Sequence, residues 1–304
     1  RIWFGHNNGG VSVFEGDSMK VVFQLGGDIT HIMEDRSANI WAISATHGAI
    51  RINDPDFAKE PNPDFQYFKG QEGLSDRVFG MSKTTDGTLY FITDVGIKYY
   101  VDGKDQFEFY KPGELPSYFL PTCMLEDSQG VQWFGTHNGG LYKLAPNTDT
   151  LVIYDKLKND LAHNFISTIS EDSKGNIWAG TWGGGLTRIS QEGTLKVFNA
   201  LNGLKDDKVR RIIEDREGNI LIGTNENGLM IYKGEQFMSY GVQDGMVDDQ
   251  VWAVYQDAQD RMWFGTNAGI SVFDPAADDP WALKLTGEDV IPSEHIRYIK
   301  GDLD

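Results

Sequence analysis

The sequence predicts an all-β fold, a seven-bladed β-propeller, and three observations carry that prediction. A unit of about 43 residues recurs along all 304 residues of the chain. Each unit divides into four short apolar segments separated by turn residues. The period also survives the join between the two termini, which a closed ring requires and an open solenoid does not.

The units are read in order. The chain opens on a half copy, RIWFGHNNGGVSVF (1–14), and continues with EDRSANIWAISATHGAIRIN (34–53) and TTDGTLYFITDVGIKYYVDG (84–103). EDSQGVQWFGTHNGGLYKLA (126–145), EDSKGNIWAGTWGGGLTRIS (171–190), EDREGNILIGTNENGLMIYK (214–233) and QDAQDRMWFGTNAGISVFDP (256–275) follow. One large residue aligns in every unit: Trp3, Trp41, Tyr90, Trp133, Trp178, Leu221 and Trp263. Successive members lie 38 to 49 residues apart, and the step across the termini is 44.

The fifth unit shows the four strands. ISTISED (166–172) leads into a tight turn at Gly175, NIWAGT (176–181) is the second strand, LTRIS (186–190) the third and LKVFNA (195–200) the fourth. The aligned tryptophan is expected to wedge between neighbouring blades. The glycine two residues later (Gly5, Gly135, Gly180, Gly223, Gly265) marks a place where a side chain would strike the next blade. The chain starts on a second strand and finishes on an inner one, IRYIKGD (296–302). That last segment is therefore expected to complete the blade formed by residues 1–25 and remove the exposed edge.

Composition narrows the function classes. Hydrophobic residues make up 40% and charged residues 24%, a balance that suits a packed globular domain. The net charge of −18 argues against a nucleic-acid partner and favours neutral or cationic ligands. The one cysteine, Cys123, allows no internal disulfide or CxxC metal site. There is no apolar run of 18 residues, so no membrane insertion by this segment is expected. Because the chain begins inside a structural unit, it is expected to be one propeller domain excised from a longer protein. Its neighbouring domains or a second copy would then be partners.

The unit ED-x-x-G-N-I-W-x-G-T-x-x-G-G-L, clearest at 171–190 and 126–145, closely resembles the two-component regulator propeller repeat. Unit three departs most, with Lys83-Thr84 for the acidic pair and Ile92-Thr93 for Gly-Thr. The resemblance implies a periplasmic sensor domain of a hybrid two-component histidine kinase, several of which respond to oligosaccharides. The string D-G-N-I-W-F is also similar to repeats of the virginiamycin B lyase family, seven-bladed enzymes, and the fold alone does not choose between them.

No HExxH, GxSxG or P-loop string appears, and no cofactor is expected. The recurring turn acids (Asp35, Asp127, Asp172, Asp215, Asp257) lack calcium-loop spacing and read as hairpin chemistry. His6, His47, His137, His163 and His295 read as residues in or near loops on different blades, too scattered for a zinc site. The informative positions are those where units disagree inside the shared frame, since a ligand has no sevenfold symmetry. One set starts the inner strand: Thr30, Phe79, Thr122, Ser167, Arg210, Trp252 and Arg297. Another follows the second strand: Asn7, Ala45, Asp94, His137, Trp182, Asn225 and Asn267. Both are expected to ring one mouth of the central channel. Phe79, Asp94, His137, Trp182, Arg210, Trp252 and Arg297 are the candidate ligand-binding residues, a mix of flat apolar surfaces and hydrogen-bonding groups. Three readings follow: a non-enzymatic sensor of a small molecule or oligosaccharide; a lyase or hydrolase using a pair such as His137 with Asp94; or a scaffold for dimerisation.

Overall fold

The computed structural model describes the chain except residues 17, 54–63, 71–72, 112–115, 117–118, 149, 159, 288–290, 292 and 303–304. Seven four-stranded antiparallel sheets form the ring. We number the blades by chain order, blade 1 being the one that joins the termini. In that blade the strand Ile296–Gly301 pairs with Ile2–His6, followed outward by Gly10–Glu15 and Ser18–Gln24. The closure expected from the period is thus formed, with Trp3 opposite Lys300 and Phe4 opposite Ile299. The other inner strands are Ile29–Glu34, Val78–Lys83, Pro121–Glu126, Ile166–Glu171, Val209–Glu214 and Val251–Gln256.

The repeated residues lock blade to blade. Trp3, Trp41 and Trp263 are fully buried and Trp133 and Trp178 nearly so, each packed on the next blade. Trp178, for example, shares a core cluster with Ile212, Ile220 and Ile222 of blade 6. A Cβ on Gly5 would lie 2.6 Å from Ile29 of the next blade, on Gly180 2.6 Å from Val209, and on Gly265 2.7 Å from Ile296. No real side chain fits at those separations, so glycine is required by close approach rather than by backbone angle. Blade 3 solves the same problem in reverse. Ile92 occupies the glycine position, and its cross-strand partner is the small Gly80.

The turn acids have a structural task that spacing alone left half-described. Asp172 caps its own turn by accepting from the backbone N–H of Lys174 (3.0 Å) and Asn176 (2.8 Å). Its other oxygen accepts the buried indole N–H of Trp178 at 2.8 Å. Asp35, Asp127 and Asp257 do the same for Trp41, Trp133 and Trp263. In blades 5 and 6 the glutamate beside the acid reaches the preceding blade: Glu171 accepts from Ser128 N–H and Oγ (2.7 and 2.6 Å), and Glu214 from the same groups of Ser173 (2.6 and 2.8 Å). In blade 6, Leu221 stands where the tryptophan would be. A pocket of about 350 Å³ remains there, walled partly by Trp281. His6 stands beside a loop as expected, but its side chain is buried. It ends the first strand, where the six other blades have Thr or Ser.

Candidate functional site

The two loop sets do share one face. In six blades the backbone N–H following the second strand donates to the loop before the inner strand of the same blade. Asp94 binds the Arg77 carbonyl (3.4 Å), His137 that of Leu120 (3.0 Å), Trp182 that of Phe165 (3.1 Å) and Asn225 that of Lys208 (3.1 Å). This fixes both sets at the same end of the channel.

The channel itself has a volume of about 1250 Å³. All seven candidate residues (Phe79, Asp94, His137, Trp182, Arg210, Trp252 and Arg297) line it. So do the remaining members of the inner-strand set, Thr30, Thr122 and Ser167, whereas Asn7, Ala45, Asn225 and Asn267 stand back from it. The reason is a β-bulge in every inner strand. Each pairing register skips the second residue: Thr30, Phe79, Thr122, Ser167, Arg210, Trp252 and Arg297 are the unpaired positions. A bulge re-aims its side chains, so two consecutive residues face the channel where simple alternation would allow one. A second ring therefore lies beside the first: His31, Gly80, Cys123, Thr168, Arg211, Ala253 and Tyr298. The positions singled out by comparing units did not include this ring. The signal was present, because the first and fourth residues of each inner strand are apolar in every blade but one and the pair between them varies; Pro121 of blade 4 is the exception in chemistry, though it too is buried.

Small and large residues at the bulge behave differently. Thr122 Oγ1 donates to the Ile166 carbonyl and Ser167 Oγ to the Val209 carbonyl, both at 2.6 Å, tying one inner strand to the next. Arg210, Trp252 and Arg297 make no such tie. They build a stack instead. The guanidinium carbon of Arg210 lies 4.2 Å from the ring centroid of Trp182 and 3.3 Å from that of Trp252, and Arg297 lies 3.5 Å from Trp252. Phe165, which sequence reading also missed, extends the stack: its ring centroid is 6.4 Å from Trp182 and 4.4 Å from His137. His137, Phe165, Trp182, Arg210, Trp252 and Arg297 thus form a continuous arc along one side of the mouth.

Residues set back from the channel orient this arc. Trp252 donates its indole N–H to Asn267 Oδ1 (2.9 Å), Arg210 donates to Asn225 Oδ1, and Asn267 in turn donates to Gln250. Both tryptophans are half-buried rather than freely exposed. Across the mouth, Arg77 sits 5.4 Å from the Phe79 ring, and Asp94 accepts from Ser75 Oγ at 2.5 Å. His137 and Asp94 are engaged separately, and no hydrogen bond joins them among the described residues. Deeper in the channel, His31 stacks on Tyr298 at 5.0 Å, and burial with the Arg211 charge lowers its pKa to about 3. Burial pushes the Cys123 thiol up to about 12, which disfavours the thiolate. No group of three or more His, Cys, Asp or Glu among the described residues could hold a metal ion.

Three segments, residues 160–183, 203–226 and 245–268, match the family model described as two component regulator propeller. Each runs from the mouth loop through the inner and second strands of blades 5, 6 and 7. The chain carries two-component regulator propeller repeats. No curated protein sequence matches it. Among solved structures, this regulator propeller is similar to the extracellular domain of BT3049, described as a hybrid two component system, from B. thetaiotaomicron. The two are 18% identical, with a TM-score of 0.59 over 89% of this chain and 48% of the other. It is similar also to the extracellular domain of BT4673 from the same organism, 17% identical with a TM-score of 0.63 over 90% and 46%. The chain thus spans about half the length of these extracellular domains. Virginiamycin B lyase from Staphylococcus aureus, in a catalytically inactive form with quinupristin, is 14% identical with a TM-score of 0.66 over 86% of each chain. At such identities the likeness is one of fold. No helix among the described residues is long and apolar enough to cross a membrane.

Proposed function

We propose that this regulator propeller is a non-enzymatic sensing domain, acting in the periplasm as part of a two-component signalling protein, and that it binds an oligosaccharide at the channel mouth. The arc from His137 to Arg297 carries the reading. Flat π faces and guanidinium planes are what a sugar ring stacks on, and the edges of those groups supply hydrogen bonds to hydroxyls. The arc is held by a second layer, Asn225, Asn267 and Gln250, as a preorganised site requires. The repeat family and the likeness to extracellular domains of two-component proteins support the signalling context. A lyase reading would need an acid and a base in reach of one another, and His137 and Asp94 are each engaged elsewhere.

A thermal-shift screen of oligosaccharides against the purified domain tests this. A ligand at 100 times its dissociation constant adds about 2.7 kcal/mol of stability. A shift that disappears in Trp182→Ala supports the mouth as the site. Turnover of any bound sugar, or a shift untouched by changes at the mouth, contradicts the proposal.

A further inference from the structure

Trp252 lies between two guanidinium groups. Their central carbons are 3.3 and 3.5 Å from its ring centroid, and two groups that close to one centroid must take opposite faces. Two positive charges are thereby held about 7 Å apart.

Other arginines of this acidic chain have closer carboxylates. Arg1 is 2.6 Å from Asp302, Arg51 2.9 Å from Asp105, Arg216 2.6 Å from Asp260 and Arg261 2.7 Å from Asp257. Arg210 has no carboxylate within ion-pair distance among the described residues, and Arg297 has only Asp28 at 3.7 Å. The nearby Asp206 is occupied by the backbone N–H groups of Lys208 and Glu226.

Nor are the hydrogen-bonding edges satisfied. Nε of both arginines and Nη1 of Arg297 are sealed from solvent without a hydrogen bond, the Asp28 carboxylate standing too far from Arg297 Nε to accept one. Nη1 of Arg210 and Nη2 of Arg297 are not sealed, and no protein group accepts from them. Burial and the neighbouring Arg297 charge lower the Arg210 pKa to about 9. A chain with 45 acidic residues has placed none within ion-pair distance of Arg210 and only Asp28, at 3.7 Å, near Arg297, at the mouth of the channel. An uncompensated buried charge is unfavourable unless something supplies the counter-charge.

We infer that Arg210 and Arg297 receive an anionic substituent of the ligand, a carboxylate or a sulfate, while a sugar ring of the same molecule stacks along Trp182 and Phe165. The inference rests on the mouth being the ligand site. The ligand class is then an acidic oligosaccharide, although the net charge of the chain favoured neutral or cationic ligands. Net charge describes the whole surface, whereas recognition depends on the local field inside a low-dielectric channel.

Calorimetric titration at fixed 0.15 M salt tests the inference with matched probes. Trigalacturonate is compared with neutral galactotriose, and a sulfated disaccharide with its desulfated form, so the two arms separate carboxylate from sulfate. We expect the acidic member of at least one pair to bind ten-fold or more tightly than its neutral counterpart. Arg297→Gln and Arg210→Gln should each remove that preference, while Arg297→Lys, which keeps the charge but not the planar fork, should retain part of it. Melting curves of the variants confirm that each is folded. Equal affinity within both pairs overturns the inference, and if Trp182→Ala then weakens both members the mouth still stands as the site. A preference unaffected by either Gln variant overturns it as well, as does the absence of binding by all four probes.

Discussion

The two faces of the ring are built on opposite rules. On the turn face the same contacts recur: in blades 2, 4, 5 and 7 an aspartate caps the turn and holds a buried indole, and in blades 4, 5 and 6 a glutamate clasps the preceding blade. On the mouth face the frame is as regular, with a bulge at the same place in all seven inner strands, but its occupants differ from Ser167 to Trp252. Trp178 and Trp182 condense the contrast. They lie four residues apart, one nearly fully buried between blades and bonded to Asp172, the other half-buried and stacked beside Arg210 at the channel. Repetition therefore marks what closes the ring, and departure from it marks the channel mouth, the site proposed for the ligand.

The comparison can be broken most forcefully at the repeated residues. Trp178→Ala should destabilise the domain by about 3–5 kcal/mol in chemical denaturation, since it empties a core site and strands a carboxylate oxygen. A loss under 1 kcal/mol would show that the wedge is dispensable. The next effect is one of pH. His6 is buried, bonded to Ser12 Oγ (2.7 Å) and the Ser293 carbonyl (2.9 Å), and burial lowers its pKa from 6.5 to about 4. The folded state thus resists a proton that the unfolded chain accepts. The stability is fully present above pH 6.5 and is lost as pH falls towards 4, by about 3 kcal/mol for this one residue. His31 acts in the same direction. His6→Thr, the residue most other blades use, should flatten the pH–stability curve in that window, and an unchanged curve would refute the assignment.

Smaller effects sharpen the contrast. Asp172→Ala leaves the Trp178 indole N–H buried and unpaired and uncaps the turn, and should lose about 1–3 kcal/mol by denaturant titration. The corresponding change at the mouth, Trp182→Ala, should lose less than about 1 kcal/mol, because half of that side chain already meets the channel and no core is opened.

Much of this was legible in the sequence because packing between identical blades imposes identical residues. The spacing of Trp3 to Trp263 gave the blade count, and the step across the termini gave the closure with Ile296–Gly301. The mouth set was legible by subtraction, as positions where the frame repeats and the residue does not. Three things were hidden. The bulge doubled the channel lining, so His31, Cys123, Arg211 and Tyr298 face the channel beside the one position per inner strand that the comparison of units had singled out. Phe165 lies one residue ahead of its strand and reads as loop. The stacking order of Trp182, Arg210, Trp252 and Arg297 joins residues 115 positions apart in sequence, which only ring geometry brings together. The burial of His6 was not legible because one blade substitutes a ring nitrogen for a hydroxyl in a position that is otherwise Thr or Ser in six blades.

The central claim is that the residues departing from the repeat form the ligand site. It is tested most directly by melting wild type and Trp182→Ala side by side, with and without an oligosaccharide that raises the wild-type melting temperature. The account predicts ligand-free melting temperatures within about 2–4 °C of one another and a ligand-induced shift that is lost in the variant. An equal shift in both proteins, or a variant that melts early yet binds as well as wild type, would contradict it.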